Sequence, residues 1–258
     1  MPADLNPLII LCTAAFFAGF VDAIVGGGGL IQTPAALVTL SANPVASILA
    51  TIKIPSFSGT AFATRQYVKR VKINWQLTSI ICVVCFFSAV AGSLLLTKVN
   101  NSFMKPVLLV ILTIVAIYTF LKKDLGQREK RDVPYKKQLI AGVVISLAIG
   151  FYDGFIGPGA GSFFILAFIA FLGFDFLHAS AQAKLANLAT NLGSITLFLF
   201  RGKIMWAFAL PMAVCNAIGG ILGARLAIYK GNKFIRVFFL IVVTGTLARF
   251  FYDVFIKK

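Results

Sequence analysis

Gly19-Phe20-Val21-Asp22-Ala23-Ile24-Val25-Gly26-Gly27-Gly28-Gly29 returns 131 residues later as Gly150-Phe151-Tyr152-Asp153-Gly154-Phe155-Ile156-Gly157-Pro158-Gly159-Ala160. Each copy is an apolar stretch with one aspartate that runs into glycines. A helix breaks there, because each glycine costs a helix about 1 kcal/mol relative to alanine and Pro158 also removes a backbone donor. The same offset pairs Lys53 with Lys184, Arg70 with Arg201, Lys72 with Lys203, Trp75 with Trp206, Gly92 with Gly223 and Phe103 with Phe234, without a gap. Apolar coincidences are expected by chance between membrane segments, but coincident Asp, Lys, Trp and Gly are not, so the chain reads as two homologous halves.

The solvent of those halves is lipid. Of 258 residues 59% are hydrophobic and 12% charged, with a mean hydropathy of +0.93, whereas soluble domains are roughly 25% charged. Uncharged runs at Ile73–Thr97, Pro106–Leu121, Gly154–Phe174 and Ile204–Ala224 each cross or nearly cross a hydrocarbon core, which takes about 20 helical residues. The net charge of +16 sits in short gaps between apolar runs and not on an arm or a helix face. It therefore argues for cytoplasmic loops under the positive-inside rule and against nucleic acid. No basic residue precedes Lys53 and no small-residue cleavage site follows a short apolar core, so the first helix is expected to be retained.

The expected fold is an all-α integral membrane protein of about eight transmembrane helices, in two four-segment repeats with a glycine-rich break in each. Residues 1–121 form the first repeat, 122–137 a basic cytoplasmic linker with seven Lys or Arg, and 138–258 the second repeat. Each half reads as a helix ending in the aspartate and glycines, a short helix (Leu30–Leu40, Ser162–Leu172), a break, a long helix and two further crossings. The breaks are Ser41-Ala42-Asn43-Pro44 and Gly173-Phe174-Asp175. Whether the short helices cross or turn back decides between parallel and inverted halves, and loop charges do not choose.

Three residue classes are expensive in lipid. Irregular backbone at membrane depth is tolerated where protein buries it or a watery cavity meets it. N–H groups at the following helix start can then seat an anion, which makes Gly28, Gly29, Gly159 and Gly161 candidate binding residues, with close helix packing as the alternative. Intramembrane charges cost about 2.5–3.5 kcal/mol each at a helix centre. Lys53 and Lys184 are candidates to neutralise an anion, and Asp22 and Asp153 to carry protons, unless these four are structural pairs holding broken helices together. The polar stripe holds Gln182, Asn187, Thr190, Asn191 and Ser194, of which the last four recur at helical spacing; Asn187 and Asn191 are candidate ligands for an oxyanion, and the first half is less polar, with Ser56, Ser58 and Thr60.

His178, the one histidine, sits beside the second break, where a structural role competes with pH sensing. Trp75 and Trp206 follow basic clusters, as interfacial anchors do. Cys12, Cys82, Cys85 and Cys215 lie in apolar runs and read as small hydrophobes; one C-x-x-C without a second pair or a nearby His makes no metal site, and no metal or cofactor is expected. The glycines are not a nucleotide-binding G-x-G-x-x-G, because no strand precedes them.

From about Gly19 to Asp253 the chain resembles the TauE/SafE family of membrane transporters, and most closely its YfcA-like branch. The likeness is carried by the two glycine-ending stretches, by Ala183-Lys184-Leu185-Ala186-Asn187 with Asn191, and by Arg201-Gly202-Lys203-Ile204-Met205-Trp206. The resemblance implies a bacterial inner-membrane carrier related to exporters of sulfite, sulfoacetate and similar compounds. It supplies the sulfur, since the residues alone point only to an anion. Two departures are Ile52, where members commonly have Asn, and Gln182, where the branch often has His.

The leading expectation is therefore a multi-pass secondary transporter in the bacterial cytoplasmic membrane, exporting a small sulfur-containing anion with proton coupling. Its partners would be that anion, protons and the bilayer, with a homo-oligomer and an ATPase partner left open. An intramembrane enzyme using Asp22 and Asp153, and an anion channel, are the alternatives from other classes.

Overall fold

The computed structural model describes residues 7–100 and 132–251, with side chains to residue 231. Regular structure among these residues is helical: α1 (Pro7–Val25), α2 (Gly29–Thr39), α3 (Val45–Val68), α4 (Trp75–Lys98), α5 (Tyr135–Phe155), α6 (Ala160–Ala167) continued by a π-helical turn (Phe168–Leu172), α7 (Phe176–Phe200) and α8 (Trp206–Phe251). α8 bends at Gly231, where φ is 70°. The run Pro106–Leu121, most of the basic linker and its boundary at residue 121 lie outside the described residues.

Five of these helices, namely α1, α3, α4, α5 and α8 as far as Gly231, are long and apolar enough to cross a membrane. The count falls short of the expected eight partly because α7, though 25 residues long, carries Gln182, Lys184, Asn187 and Asn191, which dilute its apolar character. The apolar run Gly154–Phe174 is not one segment; it is cut between Phe155 and Ala160 into the end of α5 and the start of α6.

Local chemistry sets the helix ends. Gly26 (φ +77°) closes α1 and Gly157 (φ +95°) follows α5, a left-handed backbone that glycine takes without a steric penalty. Asn74 caps α4 by accepting from the Leu77 N–H at 3.2 Å, and Asp175 caps α7 by accepting from the His178 N–H at 2.9 Å. Pro44 and Pro134 stand just before α3 and α5 with ψ of 137°, where a missing N–H costs nothing.

Cross-helix contacts give the directions. Gly142 of α5 meets Leu77 and Ile81 of α4, Gly150 meets Cys85 and Ser88, and Gly154 lies on Ala89, so α4 and α5 run the same way. α7 shares that direction, since Thr78, Cys82 and Phe86 of α4 meet Gln182, Leu185 and Gly193 in order. In the same manner Thr51 bonds Met205 and Gly59 packs on Gly220, so α3 runs with α8, and Phe16 and Phe20 of α1 meet Gly219 and Gly223. Two apolar clusters show that these sets oppose each other. One joins the starts of α1, α3 and α8 (Leu11, Ile48, Met212) to the ends of α4 and α7 (Leu96, Phe198); the other joins the ends of α1 and α3 (Val25, Tyr67) to the starts of α4 and α7 (Leu77, Phe176).

The short helices turn back. Leu40, just past α2, returns to the cluster of Leu11 near the start of α1. Leu172, ending the π-helical turn, accepts from Gln138 Nε2 near the start of α5 at 2.9 Å. Helices related by the 131-residue offset, α1 with α5 and α3 with α7, therefore run in opposite directions. Arg65, Lys69, Arg70, Lys72, Lys136 and Lys137 gather at one end of the bundle, and Lys98, Arg201 and Lys203 at the other.

Single cysteines at Lys69 and Lys136 in a cysteine-free background are expected to react with an impermeant maleimide from one side of the membrane, and a cysteine at Arg201 from the other. Labelling of all three from one side would refute these helix directions.

Candidate functional site

The glycine breaks touch each other in mid-bundle. The Ser162 N–H donates to the Gly26 carbonyl at 3.1 Å, and Ser162 Oγ donates to the Val25 carbonyl at 2.9 Å. A β carbon on Gly161 would stand 2.6 Å from the Gly26 oxygen, and one on Gly29 would stand 2.9 Å from Pro158 Cα. The missing side chains are what let the two backbones meet.

Flanking this crossing are two ion pairs, each joining one half to the other. Lys53 of α3 reaches Asp153 of α5, with Nζ 2.8 Å from Oδ1 and 2.6 Å from the main-chain oxygen. Lys184 of α7 reaches Asp22 of α1, with Nζ 2.7 Å from Oδ2 and also donating to the main-chain oxygen. Thr190 donates to the second oxygen of Asp153, and the Gly28 N–H lies 3.3 Å from Asp22 Oδ1. Each lysine thus holds both the carboxylate and a carbonyl near the end of a broken helix. With all four groups ionised the site is formally neutral.

Between the pairs lies a cavity of about 40 Å³, room for a few atoms where a single water needs roughly 10–15 Å³. α3 presents Lys53, Ser56 and Thr60 to it at one-face spacing, and α7 presents Asn187 and Asn191. Asp22, Asp153, Gly29, Gly159 and Gly161 complete its polar wall, with Leu49, Ile52 and Ile156 as apolar lining. Thr33 Oγ1 and Asn187 Oδ1, both buried here, have no hydrogen-bond partner among the described residues.

Of the residues read from sequence as anion-binding candidates, Gly28 and Lys184 do not line the cavity. The Gly28 N–H faces Asp22, and Lys184 is 1% exposed behind the same carboxylate. Ile52 is at the wall, whereas Gln182 accepts from Thr78 at 3.0 Å elsewhere. His178 Nδ1 is 2.6 Å from Asp175 Oδ2, which ties the histidine to the cap of α7. Trp75 and Trp206 are the partly exposed first residues of α4 and α8, at opposite ends of the bundle. Among the described residues no group of His, Cys, Asp and Glu is arranged to hold a metal. Sequence reasoning missed Thr33, which nothing distinguishes from other threonines in an apolar chain, and although it placed Thr190 on the polar stripe it did not find the bond to Asp153.

A family model described as "Sulfite exporter TauE/SafE" matches residues 11–250. The chain belongs to the TauE/SafE family. Among its relatives, "Probable membrane transporter protein YfcA" of Escherichia coli is 36% identical, over 96% of this chain and 91% of its own. "Probable membrane transporter protein ORF9" of Sinorhizobium sp is 36% identical over 95% and 93%, and a "Probable membrane transporter protein" of Haemophilus influenzae is 33% identical over 98% of each. No solved structure matches the chain. TauE/SafE proteins and these relatives are described as membrane transporters and not as enzymes, which sets aside the intramembrane-enzyme reading.

Lys184→Met strands the Asp22 carboxylate and is expected to cost about 3–5 kcal/mol. Combining it with Asp22→Asn should restore much of the loss, because neither charge then stays behind. Thermal unfolding of the single and double variants in detergent measures this; losses that simply add would mean the pair does not hold the helices.

Proposed function

We propose that this chain is a secondary carrier that exports a small sulfur-containing anion, sulfite or sulfoacetate in the first instance, by proton-coupled alternating access. The observation that carries the reading is the cavity at the crossing of two broken helices, where one lysine, two hydroxyls and two amides from opposed helices converge. A compact oxyanion presents only acceptor oxygens and a charge, and Lys53 Nζ, Ser56, Thr60 and the amides of Asn187 and Asn191 offer the matching donors. The family name supports sulfur as the central atom.

Alternating access fits the same geometry. In our reading the opposed helix pairs are two inverted repeats, residues 1–121 and 138–258, of four membrane segments each, with α2 and α6 as the turned-back arms. Rocking one repeat against the other would open the site to either side in turn. The apolar clusters around Leu49 on one side and Tyr67 on the other would act as the two gates, which favours a carrier over a channel. The end bearing Lys69, Arg70, Lys136 and Lys137 would face the cytoplasm of a bacterial inner membrane.

A neutral site needs a reason to take a negative ion. Protonating one carboxylate leaves a lysine uncompensated, and the anion then restores neutrality, so proton and anion move together.

Labelled sulfite flux into proteoliposomes, with and without an imposed pH gradient, tests this. The wild type should show gradient-driven flux. Asn187→Ala should weaken apparent affinity about 10- to 100-fold, as losing a hydrogen bond to a charged group worth about 1.5–3 kcal/mol would do. Flux no greater than in empty liposomes would remove sulfite as the substrate.

A further inference from the structure

The two ion pairs occupy corresponding places, yet they are not chemically alike. Asp153 is 5% exposed, with one oxygen on Lys53 and the other on the Thr190 hydroxyl. Asp22 is 19% exposed; one oxygen is on Lys184, and among the described residues the other meets only the Gly28 N–H at 3.3 Å, near the limit of hydrogen bonding. The offset that places Asp22 on Asp153 places Gly59 on Thr190, so the position corresponding to the clasping threonine carries no hydroxyl in the first half. Nor is there space for one, since a β carbon on Gly59 would collide with the Asn216 amide oxygen.

We infer that Asp22 alone loads the proton that accompanies the anion, while Asp153, clasped by Lys53 and Thr190, stays ionised and fixed. This rests on the proton-coupled carrier reading and says which half performs the coupling. A proton drawn from bulk solution on the open side binds Asp22 Oδ1, the oxygen least occupied by other donors. The carboxyl becomes neutral, the Lys184 charge behind it is left uncompensated, and the site as a whole gains one positive charge for the anion to balance. Lys184 therefore draws the anion by its field without lining the cavity, and Lys53 provides contact. The groups facing Asp22 are Lys184 from α7 and Tyr67 from α3, with Lys53 and Asp153 across the cavity. α2 brings the Gly28 amide, α6 brings Gly161 and Ser162, and α8 brings glycines to its contact with α1.

The test is the protonated-carboxyl infrared band of the purified full-length protein, followed through a pH titration, with sulfite flux measured in parallel. Asp22→Asn should remove the titrating band and the response of flux to a pH gradient; a band that persists unchanged overturns the assignment. Thr190→Val is close to isosteric and keeps every charge. It should release the second oxygen of Asp153 and add a second titrating component, and a titration indistinguishable from wild type overturns the role given to Thr190. Absence of sulfite flux in the wild type would strike the substrate reading instead, since the infrared titration needs no sulfite.

Discussion

Four charges at membrane depth, three of them buried, arranged as two crossed pairs, are the constraint around which the rest of the protein is organised. Alone, each would cost several kcal/mol in hydrocarbon, and each lysine finds compensation only on the opposite half. Lys53 and Lys184 extend from α3 and α7, which pack on each other, to reach Asp153 and Asp22 on the first helices of the opposite halves. The broken helices must also present their carbonyls inward, which requires Gly26 and Gly157. Helix packing, the glycine crossing and the small polar cavity all answer to that one electrostatic demand.

Much of this was legible in the sequence. Asp22, Asp153, Lys53 and Lys184 stand out because charges in apolar runs are rare, and a single offset marks them as corresponding positions. Asn187 and Asn191 were readable from their spacing. The partners were not, because Asp22 to Lys53 and Asp153 to Lys184 have the same separation, so pairing within or across the halves looks identical along the chain. Helix direction was equally hidden, since basic residues flank both ends and the decisive contacts, such as Gln138 with Leu172, join distant residues. That Gly28 and Lys184 face a carboxylate was hidden for a related reason: an N–H or an ammonium can face an anion or the neighbouring carboxylate, and only the fold says which.

Near-symmetry with a local fault is the more informative part of the design. Both halves share the same glycine break, yet the threonine that clasps one aspartate has a glycine counterpart, and an amide from α8 fills the space that glycine leaves. A duplicated unit that kept both sites equal would have no preferred place for a proton.

The way α1 lies against α8, and α4 against α5, bears on how the chain is made. The first helix enters the membrane about 200 residues before its main partner exists, an interval of roughly 10–40 s at 5–20 residues per second. For most of that time Asp22 has neither Lys184 nor the glycine face of α8 beside it. Neither half holds the partner of its own charged groups, so both pairs close only once α7 has followed α1, α3 and α5 into the bundle.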